Sequence, residues 1–178
     1  MGCSIRHWVR ILRVMRLQGT SHKGSYDLLV HGEKYTALEY KGFFSGKASA
    51  DLAGSSFAIQ PKNMLHTKYD VLLDETVIGG IKYNWKGQIL IDLMGKSGLE
   101  HTFILKSKGF WKQRYVLFNA IEEQELVLKP DTKFLSAKHN YDVEMLGPEM
   151  SDVDVFKLVL CCAFAVNLYL RMAAAAAS

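Results

Sequence analysis

From Tyr26 onward the hydrophobic positions follow the two-residue period of β-strands. Short runs of alternating, β-branched and aromatic residues are separated by turn segments such as HGE at 31–33 and GKSG at 95–98. Eleven runs fit this pattern: YDLLV, KYTALEY, KASADL, FAIQ, YDVLL, VIGGIKY, QILIDL, HTFILK, RYVLF, ELVLK and YDVEML. No helical pattern lies between them, so we expect strands adjacent in sequence to pair antiparallel.

The C-terminal segment has a different pattern, which predicts a helix over about residues 152–172. Ser151 and Asp154 form a helix start signal, and nine apolar residues in a row follow Lys157. A helix that is apolar on all sides is buried in a protein core or in a bilayer. Residues 158–170 fit the length of a core helix better than that of a membrane span. We therefore favour a core helix and keep a membrane anchor as the alternative.

Two stretches of the strand region resemble each other. GKASADLAG at 46–54 matches GQILIDLMG at 87–95, and FAIQPKNMLHTKYDVLL at 57–73 matches FILKSKGFWKQRYVLFN at 103–119. Such a repeat suits a duplicated antiparallel sheet that closes on itself, and a wide barrel needs more than its own side chains to fill it. The sequence thus predicts an all-β closed antiparallel barrel of about 11–12 strands around a buried, hydrophobic C-terminal helix. Asn167 would then need a buried hydrogen-bond partner or a place near the barrel mouth.

Residues 1–20 differ from the rest because they contain no acidic residue. Arg6, Arg10, Arg13 and Arg16 recur at helical spacing opposite apolar residues, a pattern typical of a basic amphipathic helix at a membrane surface or of a transit segment. A loosely attached extension is the alternative. We expect an N-terminal extension at residues 1–20 and a single barrel domain at residues 21–178.

Composition narrows the function classes. The formal net charge is +4, a mild excess that is compatible with an anionic partner without requiring one. The adjacent Cys161 and Cys162 lie in the apolar helix, and no disulfide framework fits the cysteine spacing, which favours a reducing, cytoplasmic compartment. The histidines are scattered, and no H-E-x-x-H, C-x-x-C or G-x-S-x-G occurs. We therefore expect no enzyme activity, no cofactor, no metal and no nucleic-acid partner.

The best candidate site is the basic and aromatic turn LKSKGFWKQRY, which joins two predicted strands. Cations surround an aromatic pair without any acidic residue in the segment, and the candidate residues are Lys106, Lys108, Phe110, Trp111, Lys112 and Arg114. The equivalent turn in the first repeat supplies Lys62 and Lys68. Cations beside an apolar tip suit an anionic membrane surface. The alternative is a purely structural turn with solvated lysines.

With these features the chain resembles the tubby-like superfamily, which includes tubby C-terminal domains, phospholipid scramblases and LURP-one-related proteins. The resemblance runs from about residue 35 to residue 172 and is carried by YTALEYKGFFSGKASADL, the two basic turns and DVDVFKLVLCCAFAVNLYL. It is closest to the short, stand-alone bacterial-type or LURP-one-related members. The resemblance implies a closed barrel around a central C-terminal helix, and phosphoinositide binding by surface lysines and arginines. It does not extend to scramblase calcium binding, since Asp152 and Asp154 offer too few oxygen ligands.

The expected function is a non-enzymatic module that binds anionic phospholipid or phosphoinositide peripherally at a membrane surface. A soluble scaffold that binds unknown protein partners is the first alternative. A membrane protein anchored by the C-terminal helix is the second.

Overall fold

The computed structural model describes residues 15–21, 24–41, 46–84, 87–109, 114–131, 139–147 and 152–176. These residues form strands and one long helix, with the following bounds: β1 (Met15–Gly19), β2 (Tyr26–Val30), β3 (Glu33–Tyr40), β4 (Ala48–Leu52), β5 (Ser55–Pro61), β6 (Lys68–Leu73), β7 (Thr76–Tyr83), β8 (Ile89–Met94), β9 (Glu100–Lys108), β10 (Arg114–Phe118), β11 (Gln124–Pro130), β12 (Tyr141–Met145) and α1 (Val155–Ala176).

The strands form one closed barrel. Each pairs antiparallel with its neighbours in sequence, and β1 pairs with β12 to close the sheet. The prediction of a closed antiparallel barrel around a C-terminal helix is confirmed, and the eleven predicted runs coincide with β2 to β12. Alternate residues face inward, so the barrel interior is lined by large apolar side chains such as Leu28, Phe57 and Ile91.

Strand β1 corrects the expected boundary of the N-terminal extension. Met15–Gly19 belongs to the barrel wall, so the extension does not reach residue 20. Met15 and Leu17 are buried, whereas Arg16 points outward and forms an ion pair with Asp131. Arg16 therefore lies on a strand and not on an amphipathic helix. The predicted surface residues Arg6, Arg10 and Arg13 lie outside the described residues.

Helix α1 fills the barrel. It begins at Val155, three residues later than expected, because Asp154 caps it by accepting hydrogen bonds from the Phe156 and Lys157 amides at 3.0 and 3.4 Å. Residues 158–168 are all buried within the barrel. The helix is long and apolar enough to cross a membrane, but in this fold the strands take the place of lipid around it.

Asn167, the polar residue within this buried stretch, has hydrogen-bond partners on both sides of its amide. Its Nδ2 donates to the Gly24 carbonyl at 2.6 Å, and its Oδ1 accepts from the Tyr26 hydroxyl at 3.2 Å. A Cβ on Gly24, which has a φ of 93°, would lie within 2.8 Å of the Asn167 amide atoms. The glycine thus permits the close approach that this hydrogen bond requires.

Candidate functional site

An antiparallel meander places its connections alternately at the two ends of the barrel. The β1–β2 and β7–β8 connections lie beside the C-terminal half of α1, where Gly24 contacts Asn167 and the Gly87 carbonyl accepts from the Tyr169 hydroxyl at 3.0 Å. The β8–β9 turn lies beside the start of the helix, where the Ser97 amide donates to Asp152 at 2.8 Å. The β3–β4, β5–β6, β9–β10 and β11–β12 connections therefore share the end at which the helix finishes.

Charge is segregated between these two ends. Among the described connections and the strand residues that border them, the end at which the helix finishes carries one carboxylate, Asp131, against the cations Lys41, Lys47, Lys62, Lys68, Lys108, Arg114 and, on the helix, Arg171. We call this the basic end. By the same criterion the opposite end carries two cations, Lys96 and, on the helix, Lys157, against Glu33, Asp74, Glu75, Glu100, Glu122, Glu123, Asp152 and Asp154. We call that the acidic end.

The β5–β6 turn at the basic end presents two adjacent apolar side chains to solvent. Met64 and Leu65 are 97% and 82% exposed. The turn is held by Asn63, whose Oδ1 accepts from the amides of Thr67 and Lys68 at 3.1 and 3.2 Å and whose Nδ2 donates to the Thr67 hydroxyl at 2.8 Å. The apolar tip therefore projects from an internally hydrogen-bonded loop.

The cations that flank this tip belong to the site predicted from sequence. Lys62 and Lys68 border the turn, and the Lys62 Nζ lies 3.1 Å from an oxygen of Asp70. Lys68 faces Lys82 directly across the β6–β7 ladder. The Lys82 ammonium already has a partner, because its Nζ lies 2.7 Å from an oxygen of Asp92. Lys68 is therefore the cation of this pair that a bound anion would meet.

Of the second predicted segment, LKSKGFWKQRY, the structure describes the strand residues on both sides of the turn. Lys108 and Arg114 face each other across the β9–β10 ladder at the basic end, which forms a second like-charge pair. The side chains of both described lysines in this segment lean along the wall, because the Nζ atoms of Lys106 and Lys108 each lie 4.8 Å from the Phe118 ring centroid. The Lys106 Nζ also lies 3.5 Å from an oxygen of Glu122. Phe110, Trp111 and Lys112 lie outside the described residues.

The two predicted turns reach the same end of the barrel, separated by the β7–β8 connection. Within the repeat, Lys68 and Arg114 hold equivalent positions, each directly before an inward tyrosine, Tyr69 or Tyr115. Sequence reasoning missed Lys41, Lys47 and Arg171. The two lysines could have been found from sequence, because successive connections of a meander alternate between the two ends of the barrel. Lys41 and Lys47 lie in the β3–β4 connection, which must share its end with the β5–β6 turn.

Below the basic end the barrel interior is packed with aromatic rings. Tyr26, Tyr115 and Tyr141 form a series of ring contacts, with centroids 6.3 and 5.8 Å apart, and Tyr115 also lies 5.6 Å from Tyr169. Burial raises the pKa of Tyr115 and that of Tyr169 to about 12, so these hydroxyls stay neutral at physiological pH. The basic end is thus a surface over a filled interior.

The acidic end contains a serine, a histidine and an aspartate in contact. The Ser97 hydroxyl donates to Asp152 Oδ2 at 2.6 Å, and His101 Nε2 lies 2.7 Å from that same oxygen. Hydrogen bonds from Ser97 and then from His101 lower the pKa of Asp152 to about 2. Because serine and histidine both bind the carboxylate, this is not the serine–histidine–aspartate relay of a nucleophile. It fastens the segment before α1 to the β8–β9 turn.

Potential metal ligands in the described part of the chain come together at most in pairs. No group of three or more histidine, cysteine, aspartate or glutamate side chains comes together there in a way that could hold an ion. Cys161 and Cys162 are free thiols buried in the helix, where burial raises the pKa of each thiol and keeps it protonated.

The fold and this surface define a class of protein: a closed antiparallel barrel with a helix as its core, a basic, apolar-tipped end and an acidic opposite end. Comparison with protein-family models, with curated proteins and with solved structures finds no match to this chain. The resemblance to the tubby-like superfamily therefore stays a prediction.

Proposed function

We propose that this protein is a non-enzymatic module that docks peripherally on anionic membrane surfaces through its basic end. One observation carries the proposal: an internally hydrogen-bonded turn holds Met64 and Leu65 almost fully in solvent between two lysines, Lys62 and Lys68. A soluble protein rarely orders a loop to expose two adjacent large apolar residues unless they contact something. Side chains of this kind enter the membrane interface while neighbouring cations meet the lipid headgroups.

The magnitudes are adequate for reversible binding. Fully burying a leucine or methionine side chain contributes about 1.5–3 kcal/mol. A lysine or arginine near an anionic surface contributes about 1 kcal/mol, and this part weakens as salt screens it. The segregation of charge adds orientation, because the acidic end is repelled from the surface that attracts the basic end.

The burial of α1 favours peripheral docking over anchoring by a spanning helix. Residues 158–168 contact the barrel interior, and withdrawing them into lipid would leave the inward faces of the strands without their core. A phosphoinositide headgroup is the finer proposal, and Lys68 and Arg114, which hold equivalent positions beside the two turns at the basic end, are the residues that support it.

Vesicle flotation of the full chain tests the proposal. We expect the protein to float with vesicles of phosphatidylcholine and phosphatidylserine at low salt, to float less at moderate salt, and to stay in solution with phosphatidylcholine alone. The double substitution Met64→Ser and Leu65→Ser should lower the partition coefficient about tenfold or more. Leu99→Ser is the matched control, because Leu99 is 66% exposed in a turn at the acidic end.

Two results would contradict the proposal. One is a folded wild-type protein that never floats with anionic vesicles, which would favour the soluble scaffold instead. The other is flotation that depends equally on Leu99 and on Met64 with Leu65. Adding phosphatidylinositol phosphates in place of phosphatidylserine at equal total charge separates headgroup recognition from general charge attraction.

A further inference from the structure

The seam between β3 and β4 has the fewest paired positions in the barrel wall. These two strands share two paired positions, Glu39 with Ser49 and Tyr40 with Ala48. The β1–β12 pair shares three, and every other neighbouring pair shares at least four. Both β3–β4 pairs lie near the basic end, so towards the acidic end residues 33–38 of β3 have no register partner in β4. At about 3.3 Å per residue, this unpaired edge is roughly 20 Å long.

An open cleft of about 330 Å³ lies along this unpaired part of the seam. Its lining combines small side chains, hydroxyls and carboxylates, and consists of Tyr35, Thr36, Ala37, Glu39, Ser49, Ala50 and Asp51. A side chain partly replaces the missing ladder, since the Thr36 hydroxyl donates to the Asp51 carbonyl at 2.5 Å. Strand edges with unpaired amides and carbonyls are templates for another strand, and small residues beside such an edge allow its backbone to approach.

The chemistry of the cleft points to a positively charged occupant. Glu39 and Asp51 are exposed on its two walls, Glu33 is exposed at the start of β3, and no cation is among the residues that line it. Tyr35 lines the cleft and is 43% exposed, and its ring stacks on that of Phe156 of α1 with centroids 4.2 Å apart. This contact ties the seam to the first turn of the helix, so the position of Tyr35 is fixed before any ligand arrives.

We propose that the β3–β4 seam binds an extended, basic peptide segment of a partner protein, which displaces the Thr36–Asp51 hydrogen bond and adds a strand to the unpaired edge of β3. Main-chain hydrogen bonds to residues 33–38 supply affinity that does not depend on sequence, and the carboxylates of Glu39 and Asp51 select lysine or arginine in the peptide. The site lies on the side wall towards the acidic end. It therefore remains accessible when the basic end is on a membrane, and it does not rest on the proposed docking function.

A defined probe tests this in the full-length protein. The probe is a fluorescein-labelled, amidated peptide of alternating lysine and valine, six residues long, and its binding is followed by fluorescence anisotropy. A matched peptide with N-methylated valines keeps the charge but cannot pair through those amides. We expect the N-methylated peptide to bind about tenfold more weakly or worse, because it forfeits several backbone hydrogen bonds.

Variants locate the binding. Glu39→Lys together with Asp51→Lys should weaken the unmodified peptide about tenfold or more, whereas Glu75→Lys, an exposed acidic residue in the β6–β7 turn, should leave binding unchanged. Hydrogen exchange checks the edge itself: amides in residues 33–38 should gain protection when the peptide binds, and those of β8 and β9 should not.

Three outcomes would overturn the inference. The first is the absence of binding at millimolar peptide, and the second is equal binding of the N-methylated peptide, which would indicate general charge attraction. The third is full protection of residues 33–38 before any peptide is added, since it would mean that the seam is already closed.

Discussion

Asn167 offers the sharpest test of a helix buried inside the barrel. Replacing it with alanine removes an amide that donates to the Gly24 carbonyl at 2.6 Å and accepts from the Tyr26 hydroxyl at 3.2 Å. The Tyr26 side chain is 2% exposed and Asn167 itself is 5% exposed, so bulk water does not replace the lost bond to Tyr26. The variant also leaves a small void beside Gly24.

The expected loss follows from those contacts. A buried polar group that loses its partner costs about 1–3 kcal/mol. Tyr26 bears that cost fully and the half-buried Gly24 carbonyl only in part, so Asn167→Ala should lower the free energy of unfolding by about 2–4 kcal/mol. For a domain of this size that corresponds to a fall in Tm of roughly 5–12 °C. A Tyr26→Phe double-mutant cycle should return a coupling energy of about 1 kcal/mol.

Urea unfolding followed by tryptophan fluorescence and circular dichroism measures the effect. Gln18→Ala is the matched control, because Gln18 is an exposed amide on the outer face of β1, and its change should stay within about 0.5 kcal/mol. Asn167→Leu distinguishes the two settings of the helix. In the barrel it leaves Tyr26 unpaired and destabilises, whereas in lipid it would make a spanning helix more apolar and more stable. An unchanged or raised stability of Asn167→Leu would refute the buried-helix reasoning.

Three further predictions concern backbone fit and pH. Gly79→Ala places a Cβ 2.0 Å from the Asp92 carbonyl oxygen and should lower the Tm clearly, while Gly80→Ala, whose Cβ would meet its nearest backbone atom at 3.2 Å, should lower it less. The pKa of Asp152 is lowered from 3.8 to about 2, so its contribution to stability is complete above pH 3.8 and is lost as the pH falls towards 2. In urea titrations, Asp152→Asn should reduce the loss of unfolding free energy over that pH range, and an unchanged loss would contradict a stabilising contact of Asp152 with Ser97 and His101. The pKa of Tyr115 is raised from 10.0 to about 12, so the folded state loses stability as the pH rises between those values, and Tyr115→Phe should reduce the slope of Tm against pH there.

The periodic elements were readable from local pattern. The strand runs carry a period of two because each has one face in the barrel and one in solvent, and that signal lies within a few consecutive residues. The helix was readable for the same reason: a nine-residue apolar run after Lys157 is too long to be a loop and too uniform to be a surface helix. Together they predicted both the barrel and its core.

Strand β1 shows where local pattern fails. Arg16 continues the helical spacing of the arginines before it, and the same five residues, MRLQG, also alternate correctly for a strand. Only the need for a strand between β2 and β12 resolves this ambiguity, because without β1 those two edges would stay unpaired. The start of α1 is a smaller case, in which the side chain of Asp154 set the boundary.

The candidate site was likewise predicted only in part from local pattern. The sequence showed that cations, Lys62, Lys68, Lys108 and Arg114, lie beside two turns. The structure added that both turns lie at one end of the barrel, together with Lys41 and Lys47. It also showed that Lys106 contacts Phe118 and Glu122 along the wall. A side chain's direction along a tilted strand depends on neighbours far away in sequence, which no local pattern records.

Local sequence pattern thus predicted which residues face inward, that the strands pair in order, and that an apolar helix completes the core. The place where the sheet closes, the division of charge between the two ends, and the short pairing of β3 with β4 became visible in the folded barrel. The physical reason is the range of the interactions. Burial preference is a property of each side chain. The closure of the sheet and the register of its strand pairs instead arise from the geometry of all twelve strands wrapped around one helix.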